Sequence, residues 1–481
     1  MPMSQTMHTA DVVVIGGGPA GYTAAFLASD RGMSVTLIDE APRPGGVCLY
    51  RGCMPSKALL HAAKLLNDAR DASVFGVSFG PPSIDVDRLR GWKDDVVSKL
   101  TRGLAQLSKQ RGITYIQGRA TFTSGQTLAV DLNDDSDLAA VIGFRYAIIA
   151  TGSRPSKPAA LSLDDARVLD STSALELEEI PSSLLVVGGG YIGLELGTVY
   201  AALGTAVTLV ELTKGLLPGA DADLVRVLER RVGRIAEAIH LETQVAGLTA
   251  ATDGIDVSLK DVNGSVRTER FQKVLIAVGR QPNSDLVGLE NTVVSRDGDG
   301  FIVVDTQCRT AESSIFAIGD VSGEPMLAHK GFAEARVAVE AIAGHPSAFE
   351  PRAIPAVVFT DPEVAWCGLT EDEATAIGRQ VAVAKFPWGA SGRALTLNRP
   401  EGFTKLVIDP ETKQILGVGI VGVGAGELIA EGVVAVEIGM TVSDMKMPIH
   451  PHPTVSETFG EAAELFFGEC THVYKPKNKK S

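Results

Sequence analysis

The chain has 481 residues, a formal charge of −14, 45% hydrophobic residues and five cysteines. Such an acidic balance argues against nucleic acid or an anionic membrane surface as the main partner. So few cysteines exclude a disulfide-stapled scaffold and fit a reducing compartment, the cytoplasm. At ~150 residues per domain, the length predicts about three domains with sizeable cores.

The first ten residues show no basic stretch leading into an apolar core, so no targeting segment is expected. Residues 12–29 carry no charge, which raises the question of a membrane span. Three consecutive glycines and a proline within them read better as a strand, a turn and a helix. Asp11–Ile15 is the strand, Gly16-x-Gly18-x-x-Gly21 the turn and Tyr22–Ser29 the helix. A second strand, Val35–Ile38, ends on Asp39, 18 residues after the last glycine. These are all the parts of a dinucleotide fingerprint: glycines admit a pyrophosphate, free N–H groups of the helix face it, and the acid accepts from a ribose hydroxyl. A tight turn without a ligand is the alternative, and the complete context weakens it.

Residues 45–57 read GGVCLYRGCMPSK, with Cys48 and Cys53 five positions apart. On a regular helix their Cα atoms would be roughly 8–9 Å apart, beyond the ~7 Å limit for a disulfide. A bridge therefore needs a distorted turn, which Gly52 and Pro55 suit. So small a loop gains little from closure entropy, which makes a reversible redox bridge a better reason than stapling. Two unrelated buried cysteines fit the pair alone equally well. The wider stretch resembles the redox-active disulfide motif of the class I pyridine nucleotide–disulfide oxidoreductases, GGTCxNxGCxPSK, and is nearest to the branch acting on dihydrolipoyl groups. That resemblance implies a redox disulfide, with Cys48 as the interchange sulfur and Cys53 against a flavin. Gly46 and Lys57 would lie beside the bound FAD. Tyr50 and Arg51 depart from the motif, where asparagine and an aliphatic residue are common.

Further on, helices are expected over Ser56–Phe75 and near Trp92–Arg111, and strands around Thr114–Val130. In the family, the segment matching Tyr115–Ala120 brings Gly118 to the FAD adenosine. Thr151, Gly152 and Ser153 break the apolar Tyr146–Ala150 and resemble the ATGSxP crossover between two nucleotide domains.

A second fingerprint then aligns with the first at an offset of 172 without a gap: Gly16, Gly18 and Gly21 fall on Gly188, Gly190 and Gly193, and Asp39 on Glu211. Two ungapped fingerprints imply two dinucleotides. Glu211 would accept from a 2′-hydroxyl and repel a 2′-phosphate, favouring NAD(H) over NADP(H) at the second site. The resemblance assigns FAD to the first. Glu195, in the first turn of the second fingerprint helix, matches the family's counter-ion for Lys57. Thr23 stands at the equivalent place in the first repeat, so the fold does not demand an acid there. A surface carboxylate stabilised by the helix dipole is the alternative. Val274–Val278 with Gly279 resembles the return crossover. Asp320 matches the family's ribityl-chain acceptor, and Met326, Leu327, Ala328 and His329 match a helix start that meets the flavin ring. For His329 itself, a backbone or packing role is expected rather than acid–base chemistry.

From about residue 353 a third domain is expected, with a strand over Ile415–Val423 and an amphipathic helix over Glu427–Ile438. His450-Pro451-His452-Pro453-Thr454-Val455-Ser456-Glu457 is the other chemical signal. Prolines flank His452 and rigidify its backbone, and Glu457 can fix its tautomer. This resembles the family motif HxHPTxSE, whose second histidine is the acid–base and whose glutamate orients it. Pro451 departs from a usual alanine. A metal pair of His450 and His452 would lack a third ligand, so no metal is expected. The basic tail, residues 475–480, reads as a solvated end.

Together these readings predict an α/β protein. It would have two Rossmann-like domains (FAD, residues 1–152 and 281–352; NAD, 153–280) and an α+β interface domain (353–481). The resemblance implies a homodimer in which each histidine serves the other chain's site. It also implies oxidation of protein-bound dihydrolipoyl groups with reduction of NAD+. Glutathione-type reductases favour NADPH, which Glu211 opposes. Mercuric reductases end in a vicinal cysteine pair, where this chain has only Cys470. A non-catalytic scaffold would not need Cys48, Cys53, His452 and Glu457 together.

Overall fold

A computed structural model describes residues 8–132 and 140–474; the basic tail lies outside the described residues. Its first sheet is built on His8–Ile15, which pairs in parallel with Val35–Asp39 on one side and Ala140–Ile149 on the other. Thr114–Ser124 extends the sheet beyond Val35–Asp39, and Ile315–Ala317 adds to Ala140–Ile149. The central strand is a continuous apolar run because both its faces are buried. Val12 and Val14 pack against Ala24, Ala25 and Ala28 of the helix Pro19–Asp30. Val13 and Ile15 face Phe122, Leu128 and Ile149. The uncharged stretch at 12–29 is thus a strand and helix of this core, and among the described residues no helix is long and apolar enough to cross a membrane.

A second parallel sheet has the order Ala238–His240, Ala206–Val210, Ser183–Val187, Lys273–Ile276, Val168–Leu169. A three-stranded antiparallel sheet covers it, with Ile255, Val257 and Leu259 packed on Leu185 and Val187. The chain passes from the first sheet to the second through Ser153–Pro155 and returns through Arg280–Pro282. These two passages pair with each other as an antiparallel ribbon. The third unit is a five-stranded antiparallel sheet from Ala356–Val358 to Ala382–Pro387. The helices Ala425–Glu437 and Glu457–Phe467 cover it over a core containing Phe386, Trp388, Ile420 and Phe459.

Two helix boundaries differ from the sequence expectation. The helix expected from Ser56 starts at Cys53 and ends at Asp71, with a single 3-10 turn reaching Phe75. The helix expected from Trp92 starts at Val86, because the Asp85 side chain accepts the Arg88 N–H at 3.0 Å and caps it.

Lys405, on a strand of the third unit, is fully buried. Its Nζ donates to Asp221 Oδ2 (2.5 Å), Asp223 Oδ1 (2.9 Å) and Glu371 Oε1 (2.9 Å). Asp221 precedes the helix Ala222–Ile235 of the second unit and Asp223 lies in its first turn, so one ammonium group joins the two. Lys385 also pairs with Asp223 and Glu371, so Lys405→Met strands chiefly the buried Asp221 carboxylate. A loss of about 3–5 kcal/mol is expected, as for a broken buried ion pair, read as a lower urea midpoint with the m-value retained.

Candidate active site

The glycine turn of the first fingerprint is set by contact. A Cβ on Gly21 would lie 1.8 Å from Gly16 O, so the helix can approach its strand only with glycine at that position. The same contact recurs in the second fingerprint, where a Cβ on Gly193 would lie 2.1 Å from Gly188 O. The repeat extends to hydrogen bonds. Asp39 accepts from Gly17 N (2.5 Å) and Ala41 N (2.8 Å). Glu211 accepts from Gly189 N (2.6 Å) and Thr213 N (2.7 Å), each donor displaced by the same 172 positions. Burial raises the pKa of Asp39 against these two N–H donors.

A cavity of about 770 Å3 runs from Asp39 to the two cysteines. Gly16, Gly18, Gly46, Gly118, Thr151, Gly152, Ser153, Asp320, Met326, Leu327 and Ala328 line it, as do Lys57 and Glu195. The volume lies in the range of cofactor sites, about 300–1,000 Å3. The residues fit a long dinucleotide: open helix N–H groups at Gly18 for a pyrophosphate, an acid at one end and an ammonium at the other. A Cβ on Gly46 would meet Gly18 Cα at 2.4 Å, so the two glycines keep this cradle open. Gly21, Gly188, Gly190, Gly193, Glu211 and Gly279 stand outside the cavity, the last five around the second glycine turn and the return passage. The His329 ring bonds Pro355 O at 2.7 Å and does not line the cavity.

The cysteines lie where the helix is broken. Gly46–Arg51 is one helix and Cys53–Asp71 the next, and Gly52 between them leaves helical geometry (φ −148°, ψ −112°). Both cysteines are free, and their sulfurs are hydrogen-bonded to each other. The pair shares one proton unequally. Donation from Cys48 brings Cys53 down to about 7 despite burial, with Lys57 helping, whereas Cys48 is pushed far up. Cys53 is therefore the more readily ionised sulfur of the pair.

Lys57 Nζ donates to both oxygens of Glu195, at 3.0 and 2.8 Å. Glu195 is buried and also accepts from Phe359 N at 3.0 Å, while the Phe359 ring lies 4.6 Å from Lys57 Nζ. One carboxylate thus gathers a helix of the first unit, a helix of the second and a strand end of the third.

Three contributions escaped the sequence. Arg280 donates to Ser153 Oγ (2.7 Å) and Ser153 O (2.7 Å), while Ser153 Oγ donates to Asp320 Oδ2 (2.5 Å). Tyr191 lines the cavity from the start of the second fingerprint helix. Lys330 and Glu334, both buried and 2.8 Å apart, hold Gly319, the residue before Asp320. Glu334 accepts Gly319 N (2.6 Å), and Lys330 donates to Gly319 O (3.2 Å). Only the i, i+4 spacing of the last pair was a signal, and on a helix that spacing usually marks a solvated face.

His452 and Glu457 stand apart from the cavity. His452 Nδ1 is 2.8 Å from Glu457 Oε1, and Glu457 Oε2 accepts from Thr454 N at 2.8 Å. Against the upward push of burial, the His452 contact and the Thr454 N–H hold the Glu457 carboxyl below its ordinary range. The His452 ring is exposed, so its Nε2 faces outward. His450 is not its metal partner: its Nε2 is 2.8 Å from Glu431 Oε1 and its ring is nearly buried.

The family described as pyridine nucleotide-disulphide oxidoreductase matches residues 10–335, and the dimerisation domain of the same family matches residues 354–463. Dihydrolipoyl dehydrogenase of Vibrio cholerae is 45% identical over 471 residues, covering 98% of both chains. That of Haemophilus influenzae is 45% identical and covers 99% of both. Among solved structures, LpdA from Mycobacterium tuberculosis superposes with a TM-score of 0.87 at 26% identity, covering 96% of this chain and all of that one. The HOCl-induced flavoprotein disulfide reductase RclA of Escherichia coli, as its Cu(II) complex, superposes at 0.85 and 26% identity, covering 95% and 100%.

Proposed function

The chain belongs to the pyridine nucleotide–disulphide oxidoreductases, flavoproteins that work with FAD and NAD(H), and on that premise we propose that it oxidises protein-bound dihydrolipoyl groups and reduces NAD+. The observation that carries the reading is the Cys48–Cys53 pair, two free thiols hydrogen-bonded to each other at one end of the cavity beside the Lys57–Glu195 ion pair. Near-full-length identity to dihydrolipoyl dehydrogenases supports the substrate class.

In this reading residues 1–152 and 281–352 hold FAD, 153–280 hold NAD, and 353–481 form the interface. The oxidised enzyme carries a Cys48–Cys53 disulfide. His452 of the partner subunit takes a proton from one thiol of the substrate, because the thiolate is the attacking form. The substrate sulfur bonds to Cys48, and Cys53 leaves with the electron pair as a thiolate. The second substrate thiol then attacks the sulfur bonded to Cys48 and its proton passes to the departing Cys48, so the lipoyl disulfide leaves and both enzyme cysteines are reduced, Cys48 as thiol and Cys53 as thiolate. Donation from Cys48 and the Lys57 charge then hold the thiolate on Cys53. Gly16, Gly18, Asp39, Gly46 and Asp320 would hold FAD along the cavity that ends at Cys53, where it would supply two-electron redox chemistry between this thiolate and NAD+. Glu195 holds Lys57 in place, and Ser153, Asp320 and Arg280 shape the cavity wall between the two nucleotide sites.

His452 stands outside its own chain's cavity, which is why a homodimer is part of the reading. Val434, Ile438, Met447 and Ile449 of the third unit are exposed apolar residues that a second copy would cover. Steady-state rates with free dihydrolipoamide and then isolated lipoyl domains, each with NAD+ or NADP+, test the whole. NAD+-linked turnover supports it, and turnover only with another disulfide or a metal ion as acceptor overturns it. The Glu211 carboxylate, fixed by three donors, repels a 2′-phosphate. Glu211→Ala should narrow the preference for NAD+ over NADP+ by about tenfold or more, roughly 1.4 kcal/mol, visible in the ratio of kcat/KM values.

A further inference from the structure

The helix Glu457–Phe467 ends at Gly468 (φ +72°), where the chain turns back along it. Two side chains of the returning segment meet one carboxylate. Cys470 Sγ donates to Glu461 Oε2 at 2.8 Å, and His472 Nδ1 lies 2.5 Å from Glu461 Oε1. Glu464, one helical turn beyond Glu461, completes the group: donor atoms of Glu461, Glu464 and Cys470 all lie within 4.8 Å of one another. Among the described residues one other trio approaches so closely, Asp221, Asp223 and Glu371. That trio already surrounds the Lys405 ammonium. Among the described residues, no lysine or arginine forms an ion pair with Glu461 or Glu464.

We propose that Cys470, His472, Glu461 and Glu464 form a binding site for one Zn2+ ion per chain. Three of these donors, on Glu461, Glu464 and Cys470, already lie within reach of one ion, and the exposed His472 ring, held on Glu461, would turn to supply the imidazole nitrogen that completes a tetrahedral zinc ligand set. The protons now on the Cys470 sulfur and between His472 and Glu461 leave to solvent as the ion enters, so binding releases protons and no electron moves. An occupied site ties residues 470–472 to the helix whose first residue, Glu457, holds His452. The inference does not depend on which substrate the enzyme oxidises.

The experiment uses oxidised holoenzyme, in which the Cys48–Cys53 disulfide withholds the active-site thiolates from metal. Zn2+ is titrated in competition with a chromogenic zinc chelator. One equivalent per chain is expected, with Cys470→Ser and His472→Ala each weakening affinity at least tenfold. In wild type, saturating Zn2+ should also protect Cys470 from iodoacetamide, read by peptide mass. This second readout decides if a variant fails to fold. Unchanged affinity in well-folded Cys470→Ser, or Cys470 alkylated at the same rate with and without Zn2+, overturns the site. So does zinc binding that occurs only after reduction of Cys48 and Cys53.

Discussion

Replacing Cys48 with serine should leave a yellow, FAD-loaded protein whose flavin is still reduced by NADH, while dihydrolipoamide-linked NAD+ reduction falls at least ~10^3-fold. The expected split follows from the positions of the two sulfurs. Contact with Cys53 and burial push the Cys48 thiol up, while the same contact and Lys57 bring Cys53 down. A dithiol must bond to the sulfur that does not face the electron acceptor, and serine offers no sulfur to bond. Neither glycine turn nor the Lys57–Glu195 pair involves the Cys48 side chain, so cofactor content should match wild type. Stopped-flow absorbance for the NADH half-reaction and steady-state turnover for the dithiol separate the two. Retained dithiol turnover would remove Cys48 from the chemistry.

His452→Gln should separate the half-reactions from the other side. Glutamine keeps a polar side chain near Glu457 but cannot exchange protons near neutral pH. Dithiol oxidation should fall by about 10^2–10^4-fold, the usual size of general acid–base catalysis. Hydride transfer from NADH to the flavin should be nearly unchanged. The Glu457 carboxyl is held below its ordinary range and touches Nδ1, so it is ionised and stabilises an imidazolium. Mixed dimers bring a further check. A dimer of one Cys48→Ser chain and one His452→Gln chain should retain one working site if the histidine acts across the interface. It should retain none if each chain serves itself. Equal loss of both half-reactions in His452→Gln would contradict the role.

Much of this arrangement could be read along the chain because it is local or repeated. The two glycine turns are fixed by contacts within a few residues, Gly16 with Gly21 and Gly188 with Gly193. The offset between them predicted even that Asp39 and Glu211 would occupy equivalent places. Gly52 and Pro55 pointed to a broken helix between the cysteines, and the break is there. The unread parts depend on partners far apart in sequence. Arg280 acts on Ser153, 127 positions earlier, and nothing around Arg280 distinguishes it from a surface arginine. Phe359 touches Lys57 and Glu195 through a ring and a backbone N–H, neither of which leaves a trace in periodicity. Lys405 looks like a polar residue on a half-exposed strand until Asp221 and Asp223 arrive from another unit.

The ribbon formed by Ser153–Pro155 and Arg280–Pro282 carries the chain out and back at neighbouring points. Topologically, everything between them is a cassette: its two ends are already side by side, and removing it would leave a gap that a short loop can close. Exchanging it for the corresponding stretch of a relative with a different coenzyme preference requires no rethreading of the remaining backbone. The seams needing repair would include the salt links at Lys57–Glu195, Arg231–Asp71, Arg231–Asp361 and Lys405–Asp221, where the insert grips its neighbours.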